Sequence, residues 1–71
     1  MKPEEFIEFQ NERPVPNKYL IVTNNLNAKN AHGEMANVWM TTFITENKDN
    51  GFLTYDDAGR AITNLSHWKY V

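Results

Sequence analysis

Residues that could carry chemistry are few in this sequence. The histidines are His32 and His67, there is no cysteine, and Ser66 is the only serine. A zinc site needs about four converging ligands, which histidine and cysteine usually supply. Neither histidine lies in a pattern of His, Cys, Asp or Glu with the spacing of known ligand sets. We therefore expect no metal site in this protein.

Ser66 and His67 are the only residues that could pair as a nucleophile and its base. Adjacent residues of a strand point to opposite faces, so we expect these two side chains not to share a proton. The carboxylates of Asp56 and Asp57 lie in a predicted turn, whereas acid–base catalysis by a carboxyl group needs burial to raise its pKa. The sequence therefore predicts that the protein is not an enzyme.

The stretch from residue 46 to residue 57 has the length of a calcium-binding loop, with Gly51 at the sixth position. Its third position is Lys48, which places a cation where a carboxylate ligand belongs. Glycine-rich loops that hold phosphates do not occur either, since the three glycines are far apart. We expect neither calcium nor any other cofactor.

Aromatic side chains are the most informative residues for function. Most of them should fill the core, because aromatics supply much of the buried area of a small domain. One short helix cannot cover both faces of a sheet, however, so some aromatics should stay accessible, and tryptophan and tyrosine are enriched in binding hot spots. For each candidate, core packing is the alternative. The candidate binding residues are Trp39, Phe43, Tyr55, Trp68 and Tyr70.

Length and composition exclude other classes of protein. A chain of 71 residues forms a single domain, residues 1–71, and buries only about 60% of its unfolded surface. The lack of cysteine fits a reducing compartment, and no apolar run approaches the ~20 residues that span a bilayer, so we expect a cytoplasmic protein without a membrane partner. Scattered basic residues and a net charge of −2 disfavour duplex nucleic acid. A small core and unpaired sheet edges favour a homodimer.

The elements that position these side chains are predicted to be one helix and one antiparallel sheet, which is an α+β fold. A proline in the first turn, two glutamates after it, and Phe6 and Phe9 three residues apart predict a helix within residues 1–12. Prolines at positions 14 and 16 then impose an extended connector. Residues 18–71 are predicted to form a meander of about four or five strands.

The longest predicted strand, residues 35–45, alternates between two faces. Its even positions are more uniformly apolar and should face the core, which leaves Trp39 and Phe43 on the opposite face. Trp39 is therefore the first choice for a partner contact. Asn50-Gly51 between two β-runs predicts a tight hairpin with a returning strand at residues 52–55. Extended segments at residues 60–63 and 66–71 follow.

The C-terminal part of the chain resembles a known family. The segment Ile62-Thr63-Asn64-Leu65-Ser66-His67-Trp68 resembles the terminal threonine-His-Trp signature of a phage and prophage family, the domain of unknown function number 551. In this chain Asn64-Leu65-Ser66 stands between the threonine and His-Trp. The run Pro14-Val15-Pro16-Asn17-Lys18-Tyr19-Leu20-Ile21-Val22 is similar to the upstream part of that family, so the overlap spans residues 12–71. The resemblance implies a small phage or prophage accessory protein, with no activity to carry over.

These observations predict a phage-encoded accessory protein in the host cytoplasm. We expect it to bind a host protein and to inhibit a defence or housekeeping machine by direct contact. The alternative is an oligomeric protein that sequesters nucleotides or other small molecules, with its aromatic side chains stacked on bases. An enzyme ranks third.

Overall fold

The computed structural model describes residues 2–71, and these residues form seven short antiparallel strands in two sheets. The strands are β1 (Ile7–Glu8), β2 (Leu20–Thr23), β3 (Val38–Thr41), β4 (Thr45–Asn47), β5 (Gly51–Tyr55), β6 (Ala61–Leu65) and β7 (His67–Tyr70). The first sheet has the order β1-β7-β2-β3, and the second has the order β4-β5-β6. The antiparallel sheet architecture is confirmed, but the single meander is wrong, because the last strand pairs between the first two.

The helix predicted within residues 1–12 is wrong where the structure describes that segment, and Met1 lies outside the described residues. Pro3–Glu5 form a single 3-10 turn, and the chain then enters β1. Ile7 pairs with Trp68, so the N-terminal segment gains backbone partners from β7 that an isolated two-turn helix would lack. The fold is consequently a small β fold rather than a true α+β fold.

The long strand predicted at residues 35–45 is divided between the two sheets. β3 pairs with β2 and β4 pairs with β5, while residues 42–44 form a corner between them. The Phe43 amide donates to Thr41 Oγ1 at 3.1 Å, a local hydrogen bond that competes with continuation of the strand. The alternation from residue 35 to residue 45 therefore does not run through a single strand.

The face assignment in β3 is the reverse of the prediction. Val22 and Leu20 are buried in the core, and they pair with Trp39 and Thr41, so the odd positions of β3 face inward. Trp39 is half-buried and packs against the core cluster, whereas Met40 is 63% exposed. The prediction failed because it counted apolar residues on both sides of the corner as one strand.

The hairpin predicted at Asn50-Gly51 is confirmed. β4 and β5 pair with Asn47 opposite Gly51, and Gly51 has a φ of 77°, in the left-handed region that favours glycine. The Asn47 side chain also accepts the amide of Asp49 at 2.8 Å, which closes the turn locally. Neighbouring residues are thus sufficient to form this hairpin.

The core lies between the two sheets. β6 and β7 are separated only by Ser66, so one bend carries the chain from the second sheet to the first. Trp68 is fully buried, and its Nε1 donates to the Glu12 carbonyl at 2.9 Å. The buried cluster consists of Phe9, Leu20, Val22, Ile62, Leu65 and Trp68, with Ile7, Trp39, Ile44 and Phe52 packed against it.

Candidate binding site

An apolar cleft opens at the edge of the core, between the connector at residues 13–17 and the corner at residues 42–44. Its volume is about 350 Å³, near the lower end of the range for small-molecule sites. Two core aromatics and a core leucine line its inner part, and the connector and the corner form its walls. The apolar lining residues are Phe9, Pro14, Val15, Pro16, Leu20, Phe43, Ile44 and Phe52.

Contacts at the middle and at the start of the connector hold the first wall in place. The Val15 amide donates to Tyr70 Oη at 2.9 Å. At the start, Arg13 Nη1 lies 3.1 Å from a Glu46 carboxylate oxygen, and the guanidinium lies 4.7 Å from the centroid of the Phe52 ring. Because Arg13 and Glu46 are both largely exposed, their ion pair adds only about 0–1 kcal/mol to stability. It does link the connector to β4 across one end of the cleft.

Buried hydroxyl groups hold the second wall. Thr54 is 1% exposed, and its Oγ1 donates to the Phe43 carbonyl at 2.6 Å and lies 2.8 Å from Thr41 Oγ1. Phe43 itself is 64% exposed, so its ring stands in solvent on a backbone whose N–H and C=O are both satisfied. A backbone fixed in this way adds little ordering cost when the ring is bound.

A valine at position 54 tests this corner, because it keeps the shape of threonine and removes the hydroxyl. Thr54→Val removes the buried hydroxyl that donates to the Phe43 carbonyl, while Thr41 Oγ1, at 3.0 Å, remains as a second donor to the same oxygen. The free energy of unfolding should therefore fall by about 1 kcal/mol. The measurement is urea denaturation followed by circular dichroism. Thr45→Val is the matched control, because Thr45 is exposed and the change should stay within about 0.5 kcal/mol. Equal midpoints for the two variants would contradict the role of Thr54.

The five aromatic residues predicted as contacts do not form one surface. Trp68 is fully buried, so it has no surface to offer a partner, and Trp39 is half-buried against the core. Phe43, Tyr55 and Tyr70 are 64%, 55% and 40% exposed. Phe43 lines the cleft and Tyr70 holds its wall, whereas Tyr55 lies on β5 and lines neither wall.

Val15 and Tyr19 are exposed apolar residues near the cleft that the sequence analysis did not select. Val15 is 54% exposed and Tyr19 is 65% exposed. Tyr19 lies directly before β2, which begins at Leu20. The available signal for Val15 was the pair of prolines around it, since a residue before proline is held extended.

A polar cluster connects β1, β7 and β2 on the other side of the core. His67 Nδ1 lies 2.8 Å from Ser66 Oγ, and His67 Nε2 lies 3.7 Å from a Glu8 carboxylate oxygen. The expectation that Ser66 and His67 point apart is wrong, because Ser66 lies at the bend and not within a strand. The Ser66 hydroxyl and amide both donate to the Thr23 carbonyl, at 3.4 and 2.9 Å. These bonds turn Ser66 toward β2, where the cluster supports the bend.

Two exposed carboxylates accept hydrogen bonds that favour their ionised forms. The hydrogen bond from Lys69 Nζ, at 2.9 Å, holds the pKa of Glu5 below its ordinary value. The backbone amide of Arg60, at 2.9 Å, lowers the pKa of Asp56, and the amide of Ala58 adds to this effect. Both groups therefore stay ionised at neutral pH and do not hold a proton for transfer.

Among residues 2–71, no group of three or more His, Cys, Asp and Glu side chains is placed to hold a metal ion. Within the same residues there is no helix of the length and apolarity needed to cross a membrane. No family model, no curated protein and no solved structure matches this chain. Function is therefore inferred from the cleft and the surface around it.

Proposed function

We propose that this protein binds a segment of a partner protein in the apolar cleft, with Phe43 as the principal contact. The observation that carries this proposal is the corner at residues 42–44, where the Phe43 ring is 64% exposed while its carbonyl accepts the buried Thr54 hydroxyl. Hot spots of interfaces are aromatic or Arg anchors on well-packed positions. The Phe43 ring is exposed, and hydrogen bonds fix the backbone that carries it.

The surroundings of Phe43 support a protein partner. Val15 and Tyr19 add exposed apolar area on the side of the connector. Apolar side chains that cluster in this way on the surface of a soluble protein mark sites of interaction. A cleft with one apolar wall on each side accepts an extended segment or a single large side chain of a partner.

A host-cell protein is the partner that we propose, and inhibition is the proposed result. This part rests on the resemblance of residues 14–22 and 62–68 to the phage and prophage family. Occupying a surface of the partner is sufficient for inhibition and requires no chemistry from this chain. The proposed site of action is the host cytoplasm, and self-association into a homodimer stays a prediction that sedimentation of the purified protein measures.

Phe43→Ala is the variant that tests the proposed function. Truncation of a hot-spot aromatic removes about 2 kcal/mol of binding free energy, which weakens binding about 30-fold, while the melting temperature should stay unchanged. Pull-down from a bacterial lysate with mass spectrometry identifies the partner, and titration with the purified partner gives the affinity.

Tyr55→Ala is the control for this experiment. Tyr55 is also an exposed aromatic residue, at 55%, but it lies on the second sheet away from the cleft. Its truncation should leave partner binding intact. If Phe43→Ala captures the partner as well as the unchanged protein does, or if Tyr55→Ala loses more of it, the cleft is not the binding site.

A nucleotide-sequestering protein is the second candidate, and the exposed Phe43 ring beside an apolar cleft is the observation that favours it. Bases stack on aromatic rings, but a nucleotide also needs a cation for its phosphates. Arg13 is the only Lys or Arg side chain among the described residues lining the cleft, and it is already paired with Glu46. A nucleotide that raises the melting temperature would favour this candidate, since a ligand that binds only the folded state stabilises it.

A further inference from the structure

A second hollow adjoins the cleft and shares Val15 with it. We call it the tyrosine hollow, and its volume is about 560 Å³. Two valines and two tyrosines give it an apolar lining, and a lysine adds one cation. The lining residues are Val15, Lys18, Tyr19, Tyr70 and Val71.

One side of the tyrosine hollow is rigid. The Tyr70 ring meets the buried Trp68 ring edge-on, with the centroids 4.8 Å apart. Its Oη accepts the Val15 amide at 2.9 Å, so the ring is held at both ends while it stays 40% exposed. Tyr19 is 65% exposed, and its side chain makes no hydrogen bond within residues 2–71. The hollow thus has one tyrosine held at both ends and one exposed tyrosine whose side chain has no hydrogen-bond partner among the described residues.

The polar groups at the tyrosine hollow favour a ligand that accepts hydrogen bonds. Tyr70 Oη already accepts the Val15 amide, so its own proton remains to be donated. Lys18 can only donate, and it forms no ion pair within the described part of the chain. The Val71 amide and the Tyr19 carbonyl are engaged with each other, at 3.1 Å.

Among the common peptide conformations, one fits these conditions. A helix uses its carbonyls internally. An added strand needs an open sheet edge, whereas β7 and β2, the strands beside the hollow, are the inner strands of the first sheet. A polyproline II segment has free, solvated carbonyls, and its rings dock into aromatic-lined grooves. We propose that the tyrosine hollow binds a proline-rich segment in this conformation, with an acidic residue that pairs with Lys18. This inference rests on the proposed function and names the class of segment that the partner contributes.

The test uses an acetylated and amidated oligoproline peptide that ends in glutamates. Titration into the nitrogen-15-labelled protein should shift the amide signals of Val15, Lys18, Tyr19 and Tyr70. A peptide of equal length with alanine for proline and the same glutamates should shift none of them. Tyr19→Ala should weaken binding of the oligoproline about 30-fold, as expected for a hot-spot aromatic, while Tyr55→Ala leaves it unchanged.

Charge reversal at position 18 tests the acidic residue separately. Lys18→Glu should reverse the preference, so that an oligoproline ending in lysines binds more tightly than one ending in glutamates. Tyr70→Phe removes both the proton donated to the ligand and the oxygen that accepts the Val15 amide, so it should weaken binding at least about fivefold. The inference is overturned if the alanine peptide binds equally well, or if neither peptide shifts the residues of the hollow.

Failure of the inference and failure of the proposed function give different results. If the captured partner requires Phe43 but the oligoproline leaves the tyrosine hollow unshifted, only the inference is overturned. If the oligoproline binds at the tyrosine hollow while Phe43→Ala captures the partner normally, the cleft is not the partner-binding site. The inference that the hollow binds a proline-rich segment is then retained.

Discussion

Trp68→Ala is expected to lower the free energy of unfolding by about 3–5 kcal/mol, the range for truncating a buried large aromatic. Trp68 is fully buried, contacts Tyr70 edge-on and donates its Nε1 proton to the Glu12 carbonyl at 2.9 Å. Domains gain roughly 0.05–0.15 kcal/mol of stability per residue, which is about 4–11 kcal/mol for a chain of this size. The substitution should therefore remove a large share of the total stability.

Trp39→Ala is the comparison for Trp68→Ala. Trp39 packs against the same core but is only half-buried, so its truncation should have the smaller effect. Guanidinium denaturation measures both variants, and the tryptophan that each retains reports unfolding by fluorescence, since the chain has two. A larger loss for Trp39→Ala would contradict the burial of Trp68.

Phe9→Ala should have an effect of similar size, about 3–5 kcal/mol. Phe9 is 2% exposed, and its ring stacks on Phe52 with the centroids 4.7 Å apart and lies 6.4 Å from the Trp68 ring. Stacked aromatic pairs add about 0.5–1.5 kcal/mol beyond the area that they bury. The N-terminal segment is thus part of the core and not an appendage of the sheet.

Phe43→Ala removes the same atoms from an exposed position and serves as the matched control. With a ring 64% exposed, its truncation should change stability by no more than about 0.5 kcal/mol. Thermal melts of the two variants, followed by far-ultraviolet circular dichroism, measure the difference. If Phe9→Ala has the same melting temperature as the unchanged protein, the N-terminal segment is peripheral to the fold.

Features that depend on near neighbours could be predicted from the sequence. The Asn50-Gly51 hairpin forms because Asn47 accepts the Asp49 amide and Gly51 adopts a positive φ. The turn after β5 has the same origin, since Asp56 accepts the Arg60 amide at 2.9 Å. Prolines at positions 14 and 16 likewise impose an extended connector, which became one wall of the cleft.

Long-range pairing decided the structure of the N-terminal segment. The spacing of Phe6 and Phe9 fits one face of a helix, and both side chains are indeed buried, at 9% and 2% exposure. The pairing of Ile7 with Trp68, at the other end of the chain, nevertheless makes this segment a strand. The spacing of Phe6 and Phe9 gives no information about a strand partner at the other end of the chain, so the spacing alone favours a helix. Tertiary context overrides such weak local preferences.

The sequence by itself determined the turns, the extended connector and the small β-rich architecture, because these depend on residue type and on neighbours within a few positions. Only the tertiary structure decided which aromatics are accessible. The Thr54 hydroxyl donates to the Phe43 carbonyl at the bend that follows β3. Because of this bend, the alternation of inward and outward side chains before it does not continue after it. Trp39 therefore packs inward while Phe43 stands exposed beside the cleft. A pattern of alternation holds only within one continuous strand, and this strand ends at the corner, where Phe43 bonds to Thr41 locally and to Thr54 of the other sheet.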